Sequence, residues 1–284
     1  MKIAITAEST IDLTKELLEK FDIKTIPFQV ILGDVQYKDG EEVSPSDIFK
    51  FVEEKKVLPK TSALNKEQYY NFFNEVKKDY DGIIHFSLSS GLSSSCQNAM
   101  DAAHSLENVY VVDTLSLSTG IALLAIYARK LADQDLELKE VYNKVVERIP
   151  NLQASFIIEK LNYLHKGGRC SALALLGANI MRIRPQIWLK DGKMSVHKKY
   201  VGKIEKVIEN YCNDVLNEFN NPDLDVAFVT YTTATEGMIE NAKKALKEKG
   251  FKNIYETVAG ATITSHCGEH TLGILYLNDG SDNH

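Results

Sequence analysis

Apolar positions in this chain come in short blocks separated by polar, helix-forming stretches. Lys2–Thr6 (KIAIT) reads as a buried strand, followed by a helix over about Asp12–Phe21. Thr25–Leu32 alternates weakly and runs on to Asp39-Gly40, a turn signal. Helices are predicted at Pro45–Lys55, with Ser44 as cap and Pro45 at the first helical position, and at Lys66–Lys78. Gly82–Phe86 (GIIHF) is a second buried strand, followed by a helix through about Ser105, a strand at Val109–Val112 and a helix at Leu117–Leu131. Strands alternating with helices of this length predict a mostly parallel sheet with helices on both faces.

The rhythm changes near Pro150. Ser155–Ile158 reads as a strand, Lys166-Gly167-Gly168-Arg169 punctuates the chain, and a helix is expected after it. Arg184–Leu189 and Lys193–Lys198 flank Asp191-Gly192, a hairpin signal. Across Lys203–Phe219 the apolar residues Ile204, Val207, Ile208, Tyr211, Cys212, Val215, Leu216 and Phe219 repeat with helical period. A strand at Val226–Tyr231, a helix at Thr235–Lys249 and strands at Ile254–Val258 and Gly273–Leu277 complete the pattern. The expected fold class is α/β in two closely packed domains. These are an N-terminal α/β domain over 1–150 and a C-terminal α+β domain over 151–284, with a ligand cleft between them.

Length and composition narrow the function. The 284 residues, 44% hydrophobic and 25% charged, suffice for a large core. A net charge of −6 argues against a general nucleic-acid binder. Cys96, Cys170, Cys212 and Cys267 form no CxxC pair and read as free thiols of a reducing compartment. The first residues lack the apolar stretch of a signal peptide. The run Ile121–Ala128 falls short of the roughly 20 residues that span a bilayer. A soluble, cytoplasmic protein is expected.

Candidate chemistry concentrates where strands meet helices. Phe86–Ser95 (FSLSSGLSSS) holds six serines between a buried strand and a helix start. That is the carboxyl edge of a parallel sheet, where free N–H groups and the helix dipole favour an anion. Helix capping is the plainer reading, but one cap needs one serine. Thr61-Ser62 and Ser9-Thr10 repeat the arrangement, so three hydroxyl-bearing turns converge on one sheet edge. No GxGxxG or GxxxxGK[ST] phosphate loop is present.

A serine hydrolase with Ser93 as nucleophile is an alternative, acting on a small carboxylate or ester. The segment Gly91–Ser95 lacks the second glycine of GxSxG, and nothing ties Asp113 and His266 into a triad. His266 and His270 in SHCGEH are interrupted by Gly268 and lack zincin spacing, so neither metal nor cofactor is expected. His266 reads either as a donor to an anion or as a satisfied loop histidine. Arg169 reads either as an anion clamp or as a turn residue paired to an acid.

One ordered set of segments carries a resemblance. It comprises Ala7-Glu8-Ser9-Thr10, Pro59-Lys60-Thr61-Ser62, Ser89-Ser90-Gly91-Leu92-Ser93, Val112-Asp113-Thr114, Leu164–Arg169 (LHKGGR), Arg184-Pro185 and His266-Cys267-Gly268. In order and spacing, over nearly the whole chain, it resembles the DegV family of bacterial fatty-acid-binding proteins. The resemblance implies an acyl chain buried between two domains. It also implies a carboxylate held by Thr61 and Ser93, with His266 nearby and Arg169 in support. With the neighbouring hydroxyls Ser62 and Ser94, the expected ligand-binding set is Thr61, Ser62, Ser93, Ser94, Arg169 and His266. In several members a separate fatty acid kinase subunit phosphorylates the bound carboxylate with ATP, so the resemblance implies a carrier without catalytic residues. Two departures stand out. Ser94 replaces a glycine of the usual LSGT, and a positive φ there would strain it; HxGPG has become His266–His270 (HCGEH), losing Pro-Gly and gaining Glu269. Lys198, Lys199 and Lys203 read either as a docking or transient membrane-contact patch or as solvated surface.

Overall fold

The computed structural model of the chain describes residues 1–171 and 183–280. Its strands are β1 (Ile3–Glu8), β2 (Ile23–Ile26), β3 (Gln29–Leu32), β4 (Val35–Lys38), β5 (Lys60–Ser62), β6 (Gly82–Ser87) and β7 (Val109–Asp113). They continue with β8 (Leu152–Ile157), β9 (Arg184–Lys190), β10 (Lys193–Tyr200), β11 (Val226–Tyr231), β12 (Asn253–Val258) and β13 (Leu272–Leu277). The helices are α1 (Lys15–Lys20), α2 (Pro45–Lys55), α3 (Lys66–Val76), α4 (Ser95–Ala103) and α5 (Thr119–Ala132). After them come α6 (Leu138–Arg148), α7 (Leu161–Gly167), α8 (Ile204–Glu218), α9 (Glu236–Lys249) and α10 (Ala261–Cys267).

Three sheets result. A parallel sheet has the order β2-β1-β6-β7, and β4-β3-β5 is antiparallel. The sheet β10-β9-β8-β13-β11-β12 is mixed: β11 and β12 run parallel and the other pairings are antiparallel. Helices cover both faces of the parallel sheet. His85 on β6 meets the rings of Tyr69 and Phe73 on α3, whereas a Cβ at Gly82 would strike Leu138 on α6. Positions 82 and 85 have opposite parity, so α3 and α6 lie on opposite faces.

Helix α5 explains how the sheets join. Eleven of its residues are buried, which is the pattern of a helix without a solvent face. It packs on β1 and β6 and also on β8, β11 and β13. The largest hydrophobic cluster therefore runs without a break from Ile5 and Phe86 through Leu124 to Phe156, Phe228 and Leu275. A second cluster backs the mixed sheet, where α8 buries Val207, Ile208, Tyr211, Cys212, Val215 and Leu216. Each such aliphatic side chain stabilises the fold by about 1.5–3 kcal/mol.

Several boundaries follow from local chemistry. Helix α2 spans the predicted residues, with the Asp47 carboxylate accepting the Ser44 N–H at 2.9 Å. Helix α3 starts at a reciprocal cap between Asn65 and Gln68. Other expectations need correction. Thr25–Leu32 is two strands in different sheets, because Pro27 fixes φ and has no N–H for a ladder. The first helix begins at Lys15 rather than Asp12: residues 9–11 form a 3-10 turn, Asp12 is left-handed (φ 55°), and Thr14 caps Leu17. The β3–β4 hairpin turns at Gly33-Asp34, before Asp39-Gly40. Strands β4 and β5 and helices α6, α7 and α10 add to the predicted elements. The helix expected after Arg169 falls largely on residues 172–182, outside the described residues.

Candidate functional site

Glu8 fixes the serine-rich loop that follows β6. It is fully buried at the end of β1 and accepts from Ser87 Oγ and Tyr69 OH, each at 2.6 Å, and from the Leu88 N–H at 2.9 Å. Burial alone would raise its pKa, but His85, Ser87 and Tyr69 hold the carboxyl below its ordinary value. The serines divide the remaining work. Ser89 Oγ donates to the Gly192 carbonyl at 2.7 Å, seating the β9–β10 hairpin tip on the loop. Ser95 Oγ accepts the Leu64 N–H at 3.2 Å, and Ser93 Oγ accepts the Ser95 N–H at 3.2 Å. Ser94 precedes α4 with φ −75°, so serine is unstrained where the resemblance raised a glycine.

Helix α10 brings in the second wall. Its N-terminus is held by two buried aspartates: Asp12 Oδ1 accepts from Gly260 N at 2.8 Å, and Asp39 accepts from Ala261 N at 2.8 Å and Thr262 N at 3.3 Å. Ser118 donates to Asp12, and Ser9 donates to Asp39 at 3.0 Å. The Ser9-Thr10 turn thus supports α10 and does not line the site. At the other end of α10, His266 Nε2 lies 2.9 Å from Thr61 Oγ1 on β5. The ring rests on the α7 terminus, where a Cβ on Gly167 would come within 2.6 Å of Nδ1.

These elements enclose a cavity of about 300 Å³. Thr61, Ser93, Ser94, Arg169 and His266 line it together, with Phe28, Leu88, Leu92, Leu117, Met194 and Ile263 supplying apolar wall. Ser62, next to Thr61 in an extended strand, is not in the lining; its hydroxyl is 3.4 Å from the Ala63 carbonyl. An apolar chamber of about 30 Å³ shares Leu117, Ile263 and Cys267 with the cavity and continues to Phe156 and Leu275.

Electrostatics favour neutral donors at the polar end. Burial, aided by the Arg169 charge, lowers the His266 pKa to about 4, so the imidazole is neutral near pH 7. His266 Nδ1 has no hydrogen-bond partner among the described residues. Arg169 Nη1 donates to the Gly167 carbonyl at 2.6 Å, and Nε lies 3.5 Å from the Leu92 carbonyl. Its guanidinium therefore ties α7 to the serine loop. Burial pushes the Cys267 thiol up to about 12, leaving it unreactive.

A hydrolytic triad is not assembled by these contacts. Ser93 Oγ pairs with Ser95 Oγ at 3.2 Å, His266 Nε2 faces Thr61, and Asp113 accepts the Ser90 and Leu115 N–H groups at 3.1 Å. Glu269 is likewise outside the cavity lining, 4.0 Å from Lys160. His270 and Arg184 both meet Glu159, at 2.6 Å each. Sequence reasoning overlooked the supports Glu8, Asp12 and Asp39. Their signal was weak: acids directly after an apolar strand or in a turn.

Residues 2–279 match the family model described as "Uncharacterised protein, DegV family". The chain belongs to the DegV family. A fatty acid-binding protein of Thermotoga maritima is 30% identical over 285 residues, covering 96% of each chain. A solved DegV lipid-binding protein, also from Thermotoga maritima, superposes with a TM-score of 0.85 at 28% identity, covering 98% of both chains. A Thermus thermophilus DegV family protein, whose structure is described by its fatty acid binding, shares the fold (TM-score 0.90, 24% identity, 98% of this chain and 100% of that one). Among the described residues, no helix is long and apolar enough to cross a membrane.

Proposed function

We propose that this DegV protein binds one long-chain fatty acid, such as palmitate, in the cavity between β5, the serine loop and α10. One observation carries the reading: a single cavity with neutral hydrogen-bonding groups at Thr61, Ser93 and His266 and aliphatic wall beyond them. The carboxylate sits at that polar end. The acyl chain passes Leu117 and Ile263 towards the small chamber at Phe156 and Leu275, which widens around it. Each buried methylene contributes about 0.8 kcal/mol, so the chain supplies most of the affinity. The buried carboxylate must then be hydrogen-bonded, and hydroxyls do this without a fixed counter-charge. The names of the Thermotoga relatives support this ligand class.

The finer reading is a carrier. The chain holds the fatty acid for a separate kinase subunit that phosphorylates its carboxylate, and it contributes no catalytic group. Arg169, engaged with Gly167, leaves the carboxylate oxygens accessible to that chemistry. The division into domains 1–150 and 151–284 belongs to the same proposal: Phe28, Thr61 and Ser93 come from one, and Arg169, Met194 and His266 from the other. The carrier works in the cytoplasm, with transient contact to the membrane surface.

Organic extraction of the purified protein followed by mass spectrometry tests the ligand. One fatty acid per chain is expected. An empty extract together with no saturable palmitate binding by the protein would overturn the reading. ATP turnover by a fatty acid kinase that rises with the loaded protein, and not with free palmitate alone, tests the carrier role.

A further inference from the structure

A second cavity, of about 380 Å³, is lined by Trp188–Asp191 of the β9–β10 hairpin. It shares no lining residue with the first, although Ser155 lines both it and the small chamber beyond the first. We propose that this second cavity binds a neutral amphiphile carrying a hydroxyl or amide N–H.

The ligand's donor follows from a chain of hydrogen bonds. Tyr211 OH is 2.7 Å from the Ser155 carbonyl, which can only accept, so the phenolic proton is used there. Tyr211 ionises only well above neutrality, because burial pushes its pKa up, so that proton is present. The Ser155 Oγ–Tyr211 OH contact of 3.0 Å must therefore be donated by the serine. Ser155 Oγ, its own proton committed, accepts from Gln153 Nε2 at 2.6 Å. This fixes the orientation of the Gln153 amide, and Oε1 is its free end. That oxygen has no partner among the described residues, although Gln153 is only 3% exposed and lines the cavity. Ser116 Oγ, in a residue 1% exposed, is a second unpartnered polar atom in the lining. Buried acceptors without partners are rare and costly, and a ligand N–H or O–H removes that cost.

The rest of the wall sets the ligand's body and charge. Leu152, Leu189, Trp188 and Phe219 give it apolar surface, and the volume lies within the range of about 300–1,000 Å³ common to small-molecule sites. The lining carries one residue of each charge, Lys190 and Asp191, so a net charge on the ligand gains little. A carboxylate brings no donor for Gln153 Oε1, so the fatty-acid anion assigned to the other cavity would leave that oxygen unpaired. The inference does not rest on that assignment.

Trp188 is the single tryptophan of the chain and lines this cavity alone of the two, so its fluorescence reports on the site. The test is titration of the full chain with 4-tert-butylcyclohexanol and with its methyl ether, which keeps the body and loses the donor. The alcohol should give a saturable change in Trp188 emission, with the ether roughly tenfold weaker. Gln153→Met, which keeps the side-chain volume and removes the acceptor, should bring the alcohol down to the ether's level. Equal binding of alcohol and ether by the unaltered protein, no saturable change with the alcohol, or an undiminished preference in Gln153→Met would each overturn the proposal. The comparison on the unaltered protein decides the matter even if the variant fails to fold.

Discussion

His266 Nε2 and Thr61 Oγ1 lie 2.9 Å apart across 205 residues of sequence, joining the C-terminal end of α10 to the edge strand β5. Neither group carries charge near neutrality, because burial and Arg169 lower the His266 pKa to about 4. The pair is a neutral donor–acceptor clasp in a cavity whose other walls include Leu88, Leu92, Leu117, Met194 and Ile263.

Removing one hydroxyl from that clasp should weaken binding without abolishing it. Thr61→Ala and Ser93→Ala are each expected to reduce palmitate affinity about ten- to a hundredfold, the value of one hydrogen bond to a charged acceptor. Ser62→Ala should change it by no more than about twofold, since Ser62 is absent from the lining. Isothermal titration with palmitate measures all three. Equal losses at Thr61 and Ser62 would contradict the placement of the carboxylate.

Gly167→Ala should weaken both stability and binding, although alanine is the better helix former. Position 167 ends α7, and alanine favours a helix over glycine by up to about 1 kcal/mol. The added methyl would stand 2.6 Å from His266 Nδ1, so the ring must turn away from Thr61. Thermal unfolding should show a lower midpoint, because displacing the buried ring costs about 1–3 kcal/mol and outweighs the helix gain, while palmitate affinity drops by roughly tenfold. A variant that binds as tightly as the parent would show that the His266–Thr61 contact is dispensable.

These residues also show where the sequence was legible. Periodicity located α2, α8 and β11 closely, because their apolar faces are regular and their caps are local. It read Thr25–Leu32 only as one weakly alternating run, since alternation carries no information about which sheet a strand joins. Hydroxyl-rich turns pointed to Ser93 and Thr61, but their union with His266 and Arg169 came from the family resemblance; it depends on contacts across the whole fold. The supporting roles of Glu8, Asp12 and Asp39 were not legible, because they lie in burial and composition does not reveal burial.

His266 should titrate in two distinct ways with and without ligand. In the free protein its pKa is about 4 against an ordinary value of 6.5, so the native state binds fewer protons between those values. Its contribution to stability is complete above pH 6.5 and is lost as pH falls towards 4. A bound carboxylate at Thr61 favours the imidazolium and should raise the pKa. NMR titration of the His266 ring reads the shift directly. An identical titration curve with and without palmitate would place the carboxylate elsewhere.

Asp12 has the opposite sign and acts at the other end of α10. Burial outweighs the hydrogen bonds from Ser118 and Gly260 and, with Asp39 nearby, raises its pKa from 3.8 to about 8. The folded protein therefore holds a proton that the unfolded chain releases, and the associated stability is full below pH 3.8 and lost progressively as pH rises through about 8. Above that pH a second buried charge faces Asp39 beneath the helix that carries His266, Ile263 and Cys267 into the cavity. Alkaline conditions should thus lower both the unfolding midpoint and palmitate affinity. Asp12→Asn keeps an acceptor for the Gly260 N–H and cannot ionise, so its stability should stay level where that of the parent declines, between about pH 4 and 8. Chemical denaturation across that range compares the two, and parallel curves would assign the loss to another group.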